Sequence, residues 1–241
     1  MSKTIESRIE NYEVQPNGNV RLSTLFRLFQ KSAEEDLDNL GMTYDILRAS
    51  GIVFILTKIT LKIYKDIKVH DVISVTTRPR TCKGVSFIRD FDVFCASERA
   101  AYATSAWVLL DINERKLLRT SALEKLGTIP LDDSNFVDIQ EKRIRLIPDS
   151  LLRTDVREVY YSQLDRNLHM NNTFYPDIVY DYMPDDFKKS DAGKLITVNY
   201  INEVMCGEKF DIFTKAIDNN FSILARETEN SKDIFSSVIE L

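Results

Sequence analysis

The sequence has few of the residues that build disulfide frameworks, thiolate metal sites or membrane spans. Its three cysteines, Cys82, Cys95 and Cys206, are far apart and form no C-x-x-C pair. We therefore expect neither a disulfide framework nor a zinc site, and a reducing compartment suits the chain better. The apolar runs are too short to cross a bilayer, and the N-terminus has no signal-peptide pattern. These features predict a soluble, cytoplasmic protein.

An excess of positive charge is also missing, because the net charge is −5 and the calculated pI is about 5.3. This balance argues against general nucleic-acid binding, which needs a concentrated basic face. Two local basic segments remain, and each is either solvated surface or a docking patch for an acidic partner. Their basic residues include Arg78, Arg80 and Lys83 in the first segment and Arg143 and Arg145 in the second.

The composition, 44% hydrophobic and 29% charged, is that of an ordinary globular protein. Apolar residues at three- and four-residue spacing predict a long helix from about residue 22 to residue 40, with Ser23 as its N-cap. A further helical piece is expected at 42–50. Segments rich in Val, Ile, Phe and Thr predict strands at 5–14, 53–64, 72–77, 85–95 and 101–112.

After a polar stretch, the same order of elements begins again. The second half predicts a strand at 156–164, a helix at 172–182 ended by Pro184, and strands at 195–203, 209–217, 222–228 and 233–241. We therefore divide the chain into an N-terminal domain (1–131), a linker (132–152) and a C-terminal domain (153–241). An offset of 149 residues matches the apolar positions of the two helices, which indicates duplication.

A helix wrapped by an antiparallel sheet is the hotdog arrangement, so two copies predict an α+β double hotdog fold. The 149-residue offset places Pro16, Gly18 and Val20 opposite Asp165, Asn167 and His169. The polar residues then occur in one half only, so we expect chemistry in the second half. The chain has only one other histidine, His70, which we expect in an exposed turn.

Asp165, Asn167 and His169 alternate, and in an extended segment their side chains would share one side. Asn171 and Asn172 follow, where they can cap the next helix, whose N-terminus can stabilise an oxyanion. Such residues are also common in turns and caps that have no catalytic role. Spacing alone leaves both interpretations open: a turn with a cap, or an acyl-transfer site.

Residues 165–172 resemble the D-x-N-x-H-x-N-N signature of the acyl-acyl carrier protein thioesterases, the plant and bacterial enzymes that release free fatty acids. Residues 198–203 are similar to the strand that carries this family's catalytic glutamate, and residues 103–111 to its T-S-x-W-V strand. The resemblance covers almost the whole chain. It implies hydrolysis of fatty acyl-acyl carrier protein without a metal or organic cofactor, which ends acyl chain elongation.

The resemblance also implies roles for particular residues. The catalytic set becomes Asp165, Asn167, His169 and Glu203, with backbone N–H groups near Asn171 and Asn172 polarising the thioester carbonyl. Some members have cysteine directly after the glutamate; here that position is Val204, and we expect Cys206 to be buried packing. The candidates for the acyl-chain pocket are Leu25, Phe26, Phe29, Ile55 and Trp107, and those for the carrier-protein dock are Arg78, Arg80, Lys83, Arg143 and Arg145.

Three alternatives stay open at this stage. The first is an acyl-CoA thioesterase of the hotdog class, and the second is a non-catalytic acyl-binding protein that kept the fold. A hotdog dehydratase is the third, although it would need a different arrangement of histidine and acid. Acyl carrier protein is the expected partner, and a homodimer is compatible with the sequence, although a double hotdog already contains the pairing that single-hotdog proteins obtain by dimerising.

Overall fold

The computed structural model describes residues 2–139 and 144–241. In the first half a strand and two helices precede the main strands of the sheet. The elements are β1 (Lys3–Arg8), α1 (Leu22–Asn39), α2 (Tyr44–Ala49), β2 (Ile52–Ile63), β3 (Val72–Lys83), β4 (Ser86–Cys95), β5 (Glu98–Asp111) and β6 (Lys116–Leu118). Among these described residues, no helix is long and apolar enough to cross a membrane.

The second half repeats this order with a shorter helical segment. Its elements are β7 (Leu152–Glu158), α3 (Tyr175–Tyr182), β8 (Leu195–Tyr200), β9 (Lys209–Ile217), β10 (Asn220–Glu227) and β11 (Asp233–Glu240). The helix predicted at 172–182 begins as a 3-10 turn at Asn172–Phe174 and becomes α-helical at Tyr175. Pro184 lies two residues beyond α3, as expected for a residue that cannot continue a helix.

Strand β3 continues well past its predicted end at residue 77, through Pro79 to Lys83. The carbonyl oxygen of Pro79 accepts a hydrogen bond from the Asp132 N–H at 2.7 Å, on the side away from β4. The N and C=O of one strand residue face the same side, so the missing N–H of Pro79 also points away from β4. The proline therefore costs no hydrogen bond in the β3–β4 ladder.

The strands form one antiparallel sheet rather than two separate sheets. Its order is β1-β3-β4-β5-β2-β8-β11-β10-β9-β7, with β6 paired to β5. Each half has the same internal order, and the halves join through β2 and β8. At this junction Thr60 lies opposite Thr197, with their hydroxyl oxygens 3.2 Å apart. A pseudo-twofold axis passes between these two residues, so the predicted double hotdog is one continuous wrapped sheet.

The helices fill the concave side of this sheet. Leu25 and Phe29 of α1 are at most 2% exposed, and Ile178 and Val179 of α3 are equally buried in the same apolar core. Burying each large apolar side chain contributes about 1.5–3 kcal/mol, which explains the apolar face of each helix. α3 has only eight residues, so the expectation of two long central helices is correct for the first half alone.

The backbone corrects the internal alignment from 149 to 150 residues before the helices. Val14 bridges Val20 and Leu164 bridges Met170, each pair 150 positions from its counterpart. The counterparts of Asp165, Asn167 and His169 are therefore Gln15, Asn17 and Asn19. After the helices the separation falls to 137, because the second half has fewer helical residues. The one-residue error arose because apolar positions on a helix face match at more than one offset.

Candidate active site

The segment that follows Leu164 is a tight turn, not the extended stretch predicted from alternation. The Asp165 N–H donates to the His169 carbonyl at 2.8 Å, and Leu168 adopts a positive φ of 66°. Oδ1 of Asp165 accepts from the N–H groups of Asn167 at 2.7 Å and His169 at 3.4 Å. The carboxylate therefore shapes the loop, and the side chains of Asn167 and His169 have different surroundings. We call residues 165–169 the candidate catalytic loop, or catalytic loop for short.

His169 meets Glu203 at one end of this loop. Nδ1 of the imidazole lies 3.4 Å from Oε2 of Glu203, and the two side chains are 30% and 42% exposed. A backbone bridge between His169 and Met205 fixes the approach of the two segments. Glu203 also accepts a hydrogen bond from Arg115 of the β5–β6 hairpin, at 2.6 Å to Oε1. A carboxylate, an imidazole and a guanidinium thus meet at a solvent-accessible point.

Asn167 points to the other half of the molecule. Its Oδ1 accepts hydrogen bonds from the Tyr44 hydroxyl at 2.7 Å and from Nη1 of Arg48 at 2.9 Å. Both donors belong to α2 of the first half, and they are 3.2 Å from each other. The neighbouring Arg166 covers the Tyr44 ring at 4.5 Å. The site is therefore assembled from both halves.

The start of the second-half helix lies beside these groups. Asn171 is the cap: its side chain accepts from the Thr173 N–H at 2.9 Å, while its own N–H donates to the Gln163 carbonyl. Within residues 2–139 and 144–241, the N–H of Asn172 has no hydrogen-bond acceptor. The helix start thus leaves the Asn172 N–H as an unpaired backbone donor among the described residues.

The buried Tyr175 and the half-buried Tyr200 pack under this helix start. The Tyr200 hydroxyl donates to the Asn172 carbonyl at 3.2 Å, and the rings of Tyr175 and Tyr200 meet edge to face at 5.4 Å. Burial and, to a smaller extent, the negative charges of Asp165 and Glu203 raise the pKa of Tyr175 well above its usual range. Both carboxylates therefore lie near the neutral Tyr175 phenol, and two aromatic rings pack beneath the site.

A cavity of about 460 Å³ opens beside the catalytic loop. Asp165, Asn167 and Asn172 of the second half line one part of it, which we call its polar end. The first half supplies the other walls, which include the charged Glu34, Asp38 and Arg89 as well as apolar residues. The apolar lining includes Leu47, Ile52, Phe54, Phe87, Trp107 and Leu131. This volume lies in the range of small-molecule binding pockets. The walls can therefore contact both apolar and polar parts of a ligand.

The five predicted pocket residues lie in different places. Trp107 lines the main cavity, and together with Phe26 and Phe29 it also lines a separate void of about 20 Å³ near Asn172. Leu25 is fully buried core, and the Ile55 side chain is 36% exposed. Trp107 therefore has the contacts expected of a pocket wall, whereas Leu25 packs inside the core and Ile55 faces solvent.

The basic residues predicted as a dock also divide into two groups. Arg78 and Arg80 have side chains only 13% and 15% exposed, and they pair with Asp92 and Asp90 at 3.4 and 3.3 Å. Lys83 and Arg145 are exposed and line a groove between the sheet and the connector. Arg143 lies outside the described residues. Arg78 and Arg80 thus form ion pairs within the sheet. The charged groups of Lys83 and Arg145 are accessible to solvent.

The corresponding loop of the first half lacks the reactive groups. Gln15, Asn17 and Asn19 replace the carboxylate, the amide and the imidazole, so only the amide is kept. Asp66 corresponds to Glu203, because Ile67 and Val204 make equivalent hydrogen bonds to Val20 and Met170. Oδ1 of Asp66 accepts from the N–H groups of residues 191 and 192. The first-half carboxylate is therefore used in structural hydrogen bonds.

Sequence reasoning missed Tyr44, Arg48 and Arg115. Tyr44 and Arg48 contact Asn167, and Arg115 contacts Glu203, in each case across 88 or more residues of chain. No local motif marks any of the three. A helical spacing of four between Tyr44 and Arg48 puts both on one face of α2, which is the only signal the sequence offers. No cluster of His, Cys, Asp or Glu that could hold a metal ion occurs in the described part of the chain.

The expectations for the remaining histidine and cysteine had different outcomes. His70 is an exposed turn residue with a φ of 71°, which confirms the prediction, and its Nδ1 lies 2.9 Å from an Arg8 nitrogen. Cys206 is exposed, so the expectation of buried packing is wrong. It follows the bridge between His169 and Met205, where the chain turns toward β9 at the surface. Alternation along a strand fails here because β8 ends at Tyr200.

The double hotdog sheet, the Asp-Asn-His loop and the nearby glutamate together define a hotdog thioesterase. Residues 4–122 match the acyl-ACP thioesterase N-terminal domain, and residues 152–239 match the acyl-ACP thioesterase C-terminal domain. The chain belongs to the acyl-ACP thioesterase family, enzymes that hydrolyse the thioester of fatty acyl-acyl carrier protein.

Similar proteins agree with this assignment. The chain is 24% identical over 262 residues to oleoyl-acyl carrier protein thioesterase 2, chloroplastic, of Arabidopsis thaliana, an alignment that covers 97% of this chain and 71% of the relative. The fold matches an acyl-ACP thioesterase from Bacteroides thetaiotaomicron, with a TM-score of 0.83, 18% identity and coverage of 99% and 97%. It also matches a 12:0-ACP thioesterase from Umbellularia californica, with a TM-score of 0.83, 16% identity and coverage of 99% and 96%.

Proposed function

We propose that this chain hydrolyses fatty acyl-acyl carrier protein at the contact between His169 and Glu203. The observation that carries the proposal is the 3.4 Å approach of these two side chains beside the Asp165–Asn167 turn. Among the described residues, only the second half combines a carboxylate, an amide and an imidazole with a partly exposed glutamate, whose other ion-pair partner is the exposed Arg115. The pseudo-equivalent first-half residues are amides, and the carboxylate of Asp66 is hydrogen-bonded to backbone.

In the proposed reaction, Glu203 removes a proton from water, and the resulting hydroxide adds to the thioester carbonyl carbon. The Asn172 N–H and the Asn167 amide stabilise the negative charge on the carbonyl oxygen. Collapse of the tetrahedral intermediate breaks the C–S bond and releases the free fatty acid and the carrier thiolate, which takes the proton back from Glu203 and leaves the carboxylate ready for another turnover. His169 orients Glu203 and the water, and Asp165 keeps the turn in shape.

Glu203 can instead attack the carbonyl directly and form an anhydride that water then opens. Turnover in oxygen-18 water detects the anhydride route when water opens the anhydride at the Glu203 carbonyl. In the proposed general-base route the label enters the fatty acid and the Glu203 carboxylate stays unlabelled after many turnovers. Label in Glu203, located by mass spectrometry of the digested enzyme, would establish the anhydride route instead.

We propose that the acyl chain occupies the cavity of about 460 Å³ and that the two halves divide the work. The apolar lining comes mainly from the first half, whose β2 and β5 supply Phe54 and Trp107. The polar end comes from the second half, at Asp165 and Asn167. Residues 1–131 would thus select the chain, residues 153–241 would perform the chemistry, and residues 132–152 would link them.

Acyl carrier protein is the proposed partner, docked through exposed basic residues. Lys83 and Arg145 keep their charged groups accessible, whereas Arg78 and Arg80 are paired internally. Reversing the charge at Lys83 and Arg145 should raise KM for acyl-acyl carrier protein and leave KM for a small acyl thioester unchanged. Equal effects on both substrates would reject these two residues as the dock. We also propose a cytoplasmic location, which the three free cysteines support.

The alternative substrate is acyl-CoA, which the same chemistry would hydrolyse. A free fatty acid profile of cells that express the wild type or His169→Ala tests the proposal, with His70→Asn, at the exposed first-half turn, as the control. We expect wild type and His70→Asn to release the same fatty acids and His169→Ala to release none above background. Turnover of purified enzyme on acyl-CoA that exceeds turnover on matched acyl-acyl carrier protein would favour the alternative.

A further inference from the structure

We propose that Arg48 and Tyr44 are positioning residues that force the Asn167 amide to present its N–H donors to the substrate. This inference rests on the proposed function, in which Asn167 acts as a hydrogen-bond donor. Its basis is the pair of contacts that α2 makes to Oδ1 of Asn167, at 2.7 Å from Tyr44 and 2.9 Å from Arg48.

Arg48 fixes the orientation of the Asn167 amide because a guanidinium group can only donate hydrogen bonds. A guanidinium group has five N–H donors and no acceptor, so the atom of Asn167 that it meets has to be the amide oxygen. The Tyr44 hydroxyl alone would not decide, since it can donate or accept. With Arg48 in place, both hydrogen bonds go to Oδ1, and a flip of the amide would put N–H groups against a cation.

The other side of the amide is then free for chemistry. Among the residues that the structure describes, no side chain or backbone group accepts a hydrogen bond from Nδ2 of Asn167. Asn167 lines the main cavity with Asp165 and Asn172, next to the candidate backbone donor. Two N–H sources at the polar end of the cavity suit the developing negative charge on a thioester oxygen.

The surroundings of α2 support a precise position for these two residues. Thr43 caps the helix by accepting from the Ile46 N–H, and Leu47 is buried in a small apolar cluster with Ile52. The arginine itself lies at the surface, so it is held by the helix rather than by burial. The first half thus contributes directly to the geometry of a catalytic group in the second half.

Three variants at these two residues test the proposal on a small acyl thioester, which needs no carrier-protein docking. Arg48→Glu replaces a donor with an acceptor and should turn the amide around, so kcat should fall on the order of 10- to 100-fold with KM within about twofold. Arg48→Lys remains a donor and should keep kcat within about threefold. Tyr44→Phe should fall between them. Asp45→Ala is the matched control, because it removes the exposed ion pair of the same helix to Arg166.

A second measurement shows whether the effect passes through Asn167. In an Asn167→Ala background, Arg48→Glu should change the single-turnover rate by less than about threefold, since there is no amide left to orient. The same loss in both backgrounds, equal losses for Arg48→Lys and Arg48→Glu, or a change confined to KM would each overturn the inference. Failure of the proposed function is distinct, because the wild type itself would then show no hydrolysis.

Discussion

The buried ion pair between Asp191 and Lys194 gives a quantitative test of the interface between the two halves. The two side chains are 5% and 0% exposed, and Nζ of Lys194 lies 2.7 Å from Oδ1 of Asp191. Asn19 and Gln15 of the first-half loop donate to Oδ2 of Asp191 at 3.1 and 3.3 Å. The pair therefore anchors the first-half loop, residues 15–19, which is the counterpart of residues 165–169.

The two partners differ in how much support they have without each other. Asp191 also accepts from the Tyr180 hydroxyl, so it keeps three neutral donors when Lys194 is replaced. In the part of the chain that the structure describes, the Tyr180 oxygen, at 3.3 Å, is the only other acceptor for the Lys194 ammonium group. Asp191→Asn thus leaves a buried ammonium uncompensated and should cost about 3–5 kcal/mol. Lys194→Met leaves the Asp191 carboxylate with three hydrogen-bond donors. It should therefore lower the free energy of unfolding by only about 1–3 kcal/mol.

Urea denaturation at neutral pH measures both losses as shifts of the midpoint at constant slope. Burial lowers the pKa of Lys194 from its ordinary 10.5, and Asp191 opposes this shift. A lysine with a lower pKa in the folded state binds fewer protons there, so stability rises as pH increases toward 10.5. The deficit of Asp191→Asn should therefore shrink at high pH. A larger cost for Lys194→Met, or a deficit independent of pH, would refute this reasoning.

Three further predictions concern the site and the sheet. Arg115→Ala should lower kcat/KM by no more than about fivefold in a standard hydrolysis assay, because its ion pair with Glu203 is largely exposed; a loss above a hundredfold would mean that the arginine touches the substrate. Trp107→Ala removes a cavity wall and should shift the kcat/KM optimum toward longer or bulkier acyl chains, whereas Ile55→Ala, at an exposed position, should not; identical profiles would disprove the assigned pocket. Burial raises the pKa of the Asp90 carboxyl above its ordinary 3.8, so its contribution to stability is complete below that value and is lost as pH rises through the folded pKa. The Tm of the wild type relative to Asp90→Asn should therefore fall as pH rises above about 4, and a rise would contradict the sign of this shift.

The order of elements could be predicted from the sequence because it depends on local patterns. Apolar periodicity placed α1 within one residue of its observed ends, and the alternation in β9 gave Lys209–Ile217 correctly. The continuous sheet could not be predicted, because the β2–β8 junction joins segments 137 residues apart. Such pairing depends on the register between distant strands, which carries no local signal.

The candidate site divides in the same way. The residue types at positions 165–169 were visible in the sequence, and the family resemblance added Glu203 to the candidate catalytic set. The turn at Leu168 was missed because a positive φ is uncommon for a leucine and has no sequence signal there. The two hydrogen bonds to Oδ1 of Asn167 were missed because their donors, Tyr44 and Arg48, come from the other half of the chain. Local chemistry was therefore predictable, and contacts between the halves were not.

The most direct test of the central claim compares Glu203→Gln with Asp66→Asn in the hydrolysis of fatty acyl-acyl carrier protein. The two carboxylates occupy equivalent positions in the two halves, and each substitution replaces a carboxylate with a neutral amide of nearly the same size. The account predicts that Glu203→Gln loses at least about a thousandfold in kcat, while Asp66→Asn stays within about threefold of the wild type. Comparable losses in both variants, or an active Glu203→Gln enzyme, would contradict catalysis at the contact between His169 and Glu203.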